Sequence, residues 1–230
     1  GDVVIGDGTW IGPGAVIYDG ARIGRNCRIF NGASVSAIPQ DLKFNGEETT
    51  LEIGDNTTVR EFATLNRGTN ARGRTTIGKN SLLMAYVHVA HDCSLGDNVI
   101  MVASSGIAGE VVLGDWVTLG GGTIVHQFVR IGNHAFLGGG SKVRMDVPPF
   151  IKADREPLAY MGINSVGLER RGFTKEKMRE LHEIYRAYFN MGMNGSKALE
   201  YIDANFQSSP ERDYILEFIK KSERGVIRGR

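Results

Sequence analysis

The chain has 230 residues, 41% of them hydrophobic, and a formal net charge of +1. That length suits one domain or one domain plus an appendage, and the near-zero charge excludes a global nucleic-acid footprint. No apolar run reaches the ~18–20 residues of a membrane span and no charged-then-apolar leader opens the chain, so a cytoplasmic protein without stable membrane insertion is expected.

An aliphatic residue recurs every six positions from the start. The first series is Ile5, Ile11, Ile17, Ile23, Ile29 and Val35, and the second is Ile53, Val59 and Leu65. The third runs from Ile77 to Val143 through twelve anchors without a slip. Two residues before each anchor lies a mostly small residue, such as Ala21, Ala33, Ala63, Ser81 or Ser105. Helices need a period near 3.6 and simple strands need 2, so neither explains six. A hexapeptide repeat does: a parallel β-helix whose short strands each send one large and one small side chain inward. With three hexapeptides per coil, Ile5 to Val143 gives seven to eight coils. Because Gly1 already lies inside a repeat, further N-terminal coils are expected in the native protein. Cys27 and Cys93 fall in the small inward register and read as buried spacers, not a disulfide or metal pair.

The period breaks twice. Residues 36–51 (SAIPQDLKFNGEETTL) lack two expected anchors and residues 66–76 (NRGTNARGRTT) lack one. Loops thrown from a rigid solenoid are where binding residues usually sit. The solenoid is expected to end near Val147-Pro148-Pro149, because two prolines cannot continue a ladder. Residues 1–149 thus form the β-helix and 150–230 a helical C-terminal domain. Thr174 is placed to cap a helix through about Met191, Ser196 a second, and Ser209-Pro210 a third. Such helices also cover the strand edges at the open end of the solenoid.

The densest polar cluster in the repeat is His88-Val89-Ala90-His91-Asp92-Cys93. Val89 and Cys93 keep the inward registers, so His88 and His91 point outward or sit at a corner. They are either solvated or functional. His91 is suited to general-base chemistry because its unperturbed pKa lies near neutrality. Asp92 could fix its tautomer, but adjacent residues in a strand diverge, so that contact requires a bend or another coil. Gly138-Gly139-Gly140 either leaves a channel along the prism or serves a tight corner. Arg170 and Arg171, followed by Lys175, Lys177 and Arg179, suit phosphate through fork geometry or form a solvated basic turn.

Five segments occur in order: IPQDLKF (38–44), HVAHDC (88–93), His126-Gln127, DVPP (146–149) and GLERRGF (167–173). Together they resemble the acyl-carrier-protein–UDP-N-acetylglucosamine O-acyltransferases, the first committed enzymes of lipid A and hence lipopolysaccharide synthesis in Gram-negative bacteria. The resemblance spans essentially the whole chain. It implies a left-handed β-helix and a homotrimer with active sites in the grooves between subunits. The implied reaction moves a 3-hydroxyacyl group from the phosphopantetheine thioester of acyl carrier protein to the sugar 3-hydroxyl of UDP-N-acetylglucosamine. No metal and no bound organic cofactor is implied, since the phosphopantetheine arrives on the carrier.

Carried over by residue, His91 is the general base, Asp92 its partner, and Gly109 the backbone donor to the oxyanion. Asp41, Lys43 and His88 would hold the glucosamine. Gln127, Asn164, Arg170 and Arg171 would hold the uridine diphosphate or the phosphopantetheine. Gly139 matches the position that sets acyl-chain length, and the basic residues around Arg170 and Lys175 suit an acidic carrier. Three positions depart from well-known members: Asn66 and Glu110 stand where histidines are common, and Val166 where a glutamate is.

Three other readings use the same features. The N-acyltransferase later in the pathway shares the solenoid and the histidine base, but fits the QDLK loop and three-helix end less well. A carbonic-anhydrase-like trimer would join His88 and His91 to a neighbour's histidine on zinc. A solenoid scaffold would only bind partners.

Overall fold

The structure is a computed structural model, and it describes residues 1–229. Among them lie 23 strands and four helices. The first 21 strands, from β1 (Val4–Ile5) to β21 (Lys142–Val143), are two to four residues long, and each pairs in parallel with the strand three places along. Three parallel sheets of seven strands result, which form the sides of a triangular prism, and two later strands extend the second sheet to nine. Partner residues are eighteen positions apart, as in Ile5 with Ile23 and Ile77 with Leu95, so three hexapeptides make one coil.

Both interruptions preserve this register. Ile23 pairs with Ile53 and Ile53 with Ile77, separations that exceed one coil by two hexapeptides and by one. An insertion in multiples of six returns every later side chain to its own face. Residues 38–49 leave between β6 (Ser34–Ala37) and β7 (Thr50–Ile53). Residues 67–73 leave between β9 (Thr64–Asn66) and β10 (Arg74–Ile77). Both loops emerge from the same corner.

The core fills the prism interior. Anchors from Ile29 to Val143 and their small partners, Cys27 and Cys93 included, are buried, and both cysteines are free. The first coil, with nothing stacked on its outer side, leaves Ile5 44% exposed. Each corner turns on a residue three places after an anchor that adopts positive φ. This is glycine at Gly14, Gly122 and Gly140, but also Asn56, Tyr86, Asp92, Glu110, Trp116 and His134. Asparagine and aspartate tolerate that region; the aromatic residues are held there by the flanking ladder bonds.

Strands continue past the two prolines, contrary to the expectation of an all-helical end. β22 (Ile151–Asp154) adds in parallel to β20 (Phe136–Leu137), and β23 (Ala159–Ile163) folds back antiparallel on β22. Pro148 and Pro149 sit buried in the crossing, where the Tyr185 hydroxyl donates to the Pro149 carbonyl at 2.6 Å. Helix α1 (Ser165–Arg170), unforeseen in the sequence, precedes α2 (Lys175–Asn190), α3 (Gly195–Asn205) and α4 (Pro210–Lys220). Thr174 and Ser209 cap α2 and α4 as expected. The cap of α3 is Asn194, not Ser196: its Oδ1 accepts from the Lys197 N–H at 2.9 Å, and asparagine caps as well as serine. Tyr160 of β23 stacks on Phe189 of α2 at 4.5 Å, so α2 covers the terminal strand. No helix among the described residues is long and apolar enough to cross a membrane.

Candidate active site

His91 lies at the corner from which both loops emerge, just after β12 (His88–Val89). Asp92 has a φ of +59°, and this left-handed turn supplies the bend that lets consecutive side chains meet. His91 Nδ1 lies 2.8 Å from Asp92 Oδ2. The Asp92 carboxylate is fully buried and engaged by the second loop. Its Oδ1 accepts from the backbone N–H groups of Thr69 (3.0 Å) and Arg72 (3.2 Å), and its Oδ2 accepts from Thr69 Oγ1 (2.6 Å). These three donors satisfy a carboxylate that burial has removed from water.

The first loop approaches the other side of the imidazole. Asp41 Oδ2 stands 3.9 Å from His91 Nε2. Lys43 is exposed, and its backbone N–H closes a turn on Asp41 Oδ1 at 3.0 Å. His88 faces outward from β12, with Nδ1 2.8 Å from Thr64 Oγ1 on the neighbouring strand, and burial lowers its pKa below the ordinary value. One coil beyond His91 lies Gly109. A Cβ there would fall 2.6 Å from His91 Cε1 and 2.7 Å from Nε2, so the glycine is the space in which the imidazole rests. No group among the described residues accepts a hydrogen bond from the Gly109 N–H. Gln127 follows one coil further in the same column and is exposed.

The remaining sequence-predicted residues lie elsewhere on the chain. Asn164, Arg170 and Arg171 line a cavity of about 860 Å³ between another face of the prism and α1, with Trp116, His134 and Phe136. Asn164 is occupied structurally: its Oδ1 accepts from Gly167 N–H at 3.3 Å as the cap of α1, and its Nδ2 donates to the His134 carbonyl at 2.9 Å. The Arg171 guanidinium lies over the Trp116 ring at 5.0 Å and donates to His134 Nδ1 at 3.2 Å. Burial, then the neighbouring Arg171 charge, lower the His134 pKa to about 4, which leaves a neutral ring to accept that bond.

Gly139 occupies a third corner. Gly140 has the positive φ of a tight turn, and a Cβ at Gly138 would meet Asp154. Gly139 needs no special backbone, and a Cβ there would meet only Gly121, the nearer contact being its carbonyl oxygen at 3.2 Å. The tight-corner reading therefore applies to Gly140. The basic run is smaller than expected, because Lys177 Nζ is bound to Glu180 and Glu211 at 2.9 Å each. Of the three departures, Asn66 ties the loops together through Nδ2 to the Ile38 carbonyl at 3.0 Å. Glu110 faces Arg72 at 3.9 Å, and Val166 is exposed at the cavity wall.

Sequence reading missed Thr64, Thr69, Trp116 and His134. The last two were detectable, since they are one coil apart at the turn position of the repeat. Thr69 lies inside a loop where no period operates.

A corner histidine backed by a buried aspartate on a hexapeptide prism with a helical end fits a hexapeptide-repeat transferase, and the bacterial transferase hexapeptide family matches residues 2–37 and 74–109. A family model described as UDP N-acetylglucosamine O-acyltransferase, domain 2, matches residues 146–227. An acyl-[acyl-carrier-protein]–UDP-N-acetylglucosamine O-acyltransferase of Chlorobaculum parvum is 59% identical over 194 residues, covering 84% of this chain and 74% of that protein. The one from Psychromonas ingrahamii is 53% identical over 220 residues, covering 95% and 84%. The crystal structure of a UDP-N-acetylglucosamine acyltransferase from Bacteroides fragilis superposes with a TM-score of 0.95 at 44% identity, over 99% of this chain and 96% of that one. The chain belongs to the acyl-carrier-protein–UDP-N-acetylglucosamine O-acyltransferase family and is an acyltransferase of lipid A biosynthesis.

Proposed function

We propose that His91 is the general base in transfer of a 3-hydroxyacyl chain from acyl carrier protein to the 3-hydroxyl of UDP-N-acetylglucosamine. The observation that carries this is the orientation of the imidazole. With Nδ1–H held by Asp92, the Nε2 lone pair is free and directed away from the buried carboxylate. His91 Nε2 takes the sugar hydroxyl proton as that oxygen bonds to the thioester carbonyl carbon. The resulting oxyanion is met by the Gly109 N–H, a donor that is worth about 2.7–4 kcal/mol in comparable sites. Collapse re-forms the carbonyl and breaks the carbon–sulfur bond, and the phosphopantetheine thiolate takes the proton back from His91. Asp41, Lys43 and His88 hold the glucosamine beside Nε2.

The site is completed by a second copy of the chain. Gly139 and the Asn164–Arg171 cavity lie on other sides of the prism from His91, so these parts meet only across a subunit boundary. A homotrimer with three grooves provides that boundary three times. In this reading Gln127, Arg170 and Arg171 engage the diphosphate or the phosphopantetheine, Asn164 adds backbone shape rather than a free amide, and Gly139 bounds the acyl chain. Left-handed winding, a cytoplasmic location and division of the chain into 1–149 and 150–230 belong to the same proposal. The matched C-terminal family region supports that division.

The test is acyl transfer with UDP-N-acetylglucosamine and a panel of 3-hydroxyacyl carrier proteins, with His91→Ala in parallel. Loss of 3-O-acylated product in a variant of native oligomeric state supports the assignment. A variant that keeps most of its rate overturns it.

A further inference from the structure

The loop of residues 67–73 has a feature that its length alone does not require: three of its donors converge on one buried carboxylate. Thr69 N–H and Arg72 N–H occupy Asp92 Oδ1, and Thr69 Oγ1 occupies Asp92 Oδ2. Oδ2 is also the oxygen that receives His91 Nδ1. The Thr69 hydroxyl in turn accepts from the Ala71 N–H at 3.1 Å. A hydroxyl has one hydrogen, and with an incoming donor on its lone pair that hydrogen is committed to Asp92. Ala71 N–H, Thr69 O–H, Asp92 carboxylate and His91 N–H thus share one polarised network whose centre, Thr69 and Asp92, is buried, where such networks are mutually reinforcing.

The loop is itself braced. Gly73 N–H donates to the Thr69 carbonyl at 2.7 Å, and Thr49 Oγ1 donates to the Gly68 carbonyl at 2.6 Å. Asn70 Nδ2 donates to Glu47 of the first loop at 2.9 Å. The loop that carries Asp41 and the loop that holds Asp92 are therefore one connected body. Its position relative to the imidazole is set through Asp92, because no atom of Thr69 bonds to His91.

We infer that Thr69 is a positioning residue for the reaction: its hydroxyl fixes the Asp92 carboxylate in the rotamer that orients His91, while Thr69 touches no reacting atom. The inference rests on His91 being the base. Valine keeps the shape of threonine and removes the donor, so Thr69→Val leaves Oδ2 with His91 alone, while the Thr69 and Arg72 backbone N–H groups still hold Oδ1. A bond to a charged group of this kind corresponds to about a tenfold change in rate.

The experiment measures kcat and KM for UDP-N-acetylglucosamine with a saturating acyl carrier in the intact enzyme. Thr69→Val, Thr69→Ser, Asp92→Asn, the double variant Thr69→Val/Asp92→Asn and His91→Ala are compared with wild type. The expected result is a kcat about tenfold lower for Thr69→Val with KM within about twofold. Thr69→Ser should recover the rate, and Thr69→Val should add little to Asp92→Asn because both act on one network. A wild-type kcat in folded Thr69→Val, or the same loss with and without Asp92, overturns the inference. Should Thr69→Val not fold, Thr69→Cys, with its weaker donor, goes through the same cycle. An active His91→Ala would remove the base assignment itself, whereas inactive His91→Ala beside unimpaired Thr69→Val would remove only the role of Thr69.

Discussion

Gly109→Ala tests the geometry of the site with one methyl group. The backbone at Gly109 lies outside the positive-φ region, so alanine fits the chain conformation, and any loss of stability comes from the side chain it displaces, about 1–3 kcal/mol. The new Cβ, however, would stand 2.6 Å from His91 Cε1, 2.7 Å from Nε2 and 3.3 Å from Nδ1. Carbon atoms pack at about 3.5–4.0 Å, so the ring must retreat by roughly 0.9 Å. It cannot do so and keep its 2.8 Å contact with Asp92, because that carboxylate is pinned by three loop donors. A displacement near 1 Å at a reacting group lowers rates on the order of 100-fold. The N–H at position 109 survives the substitution, so the loss reports on the imidazole and not on the oxyanion donor. The assay is single-turnover acyl transfer to UDP-N-acetylglucosamine, with a thermal melt of the same sample. A rate within about threefold of wild type in a normally folded variant would refute the idea that this glycine makes room for His91.

Gly139→Met adds a long side chain where the backbone needs no positive φ and the Cβ meets only Gly121, and should shift preference toward shorter acyl chains; an unchanged chain-length profile would exclude Gly139 as the ruler. His134 has a folded pKa near 4 against an ordinary 6.5, so between those values the unfolded chain binds more protons. Its contribution to stability is intact above pH 6.5 and is lost as pH falls toward 4. His134→Asn should therefore shrink the drop in Tm from pH 7 to pH 5, on the order of 2–4 °C once solvent screening is allowed for, and equal drops would contradict the buried neutral ring. Cys27 and Cys93 are at most 1% exposed, and burial pushes the Cys93 thiol up to about 12. Iodoacetamide at pH 8 should label neither in the native protein and both after denaturation, with mass spectrometry as the readout.

The six-residue spacing carried most of the fold, because every coil repeats the same demand: one large and one small side chain inside, a turn residue outside. Insertions in whole hexapeptides left that demand readable on both sides of each loop. The strands at 151–154 and 159–163 were hidden because they obey no such period; they form only because the last rung of the second sheet offers an unpaired edge. Asn194 took the cap expected of Ser196 for a local reason that sequence leaves open, since two good capping residues stand two positions apart.

The sequence by itself determined the prism, the inward registers and, through its motifs, the family, and it left His91 facing outward or at a corner. A repeat converts position in the chain directly into position on the surface, so residues eighteen apart are neighbours by arithmetic. The tertiary structure decided what the loops do. The three donors from Thr69 and Arg72, the approach of Asp41 and the placement of Arg171 involve residues whose spacing follows no period. Their contacts depend on side-chain reach and backbone direction at one corner, which only the folded chain fixes.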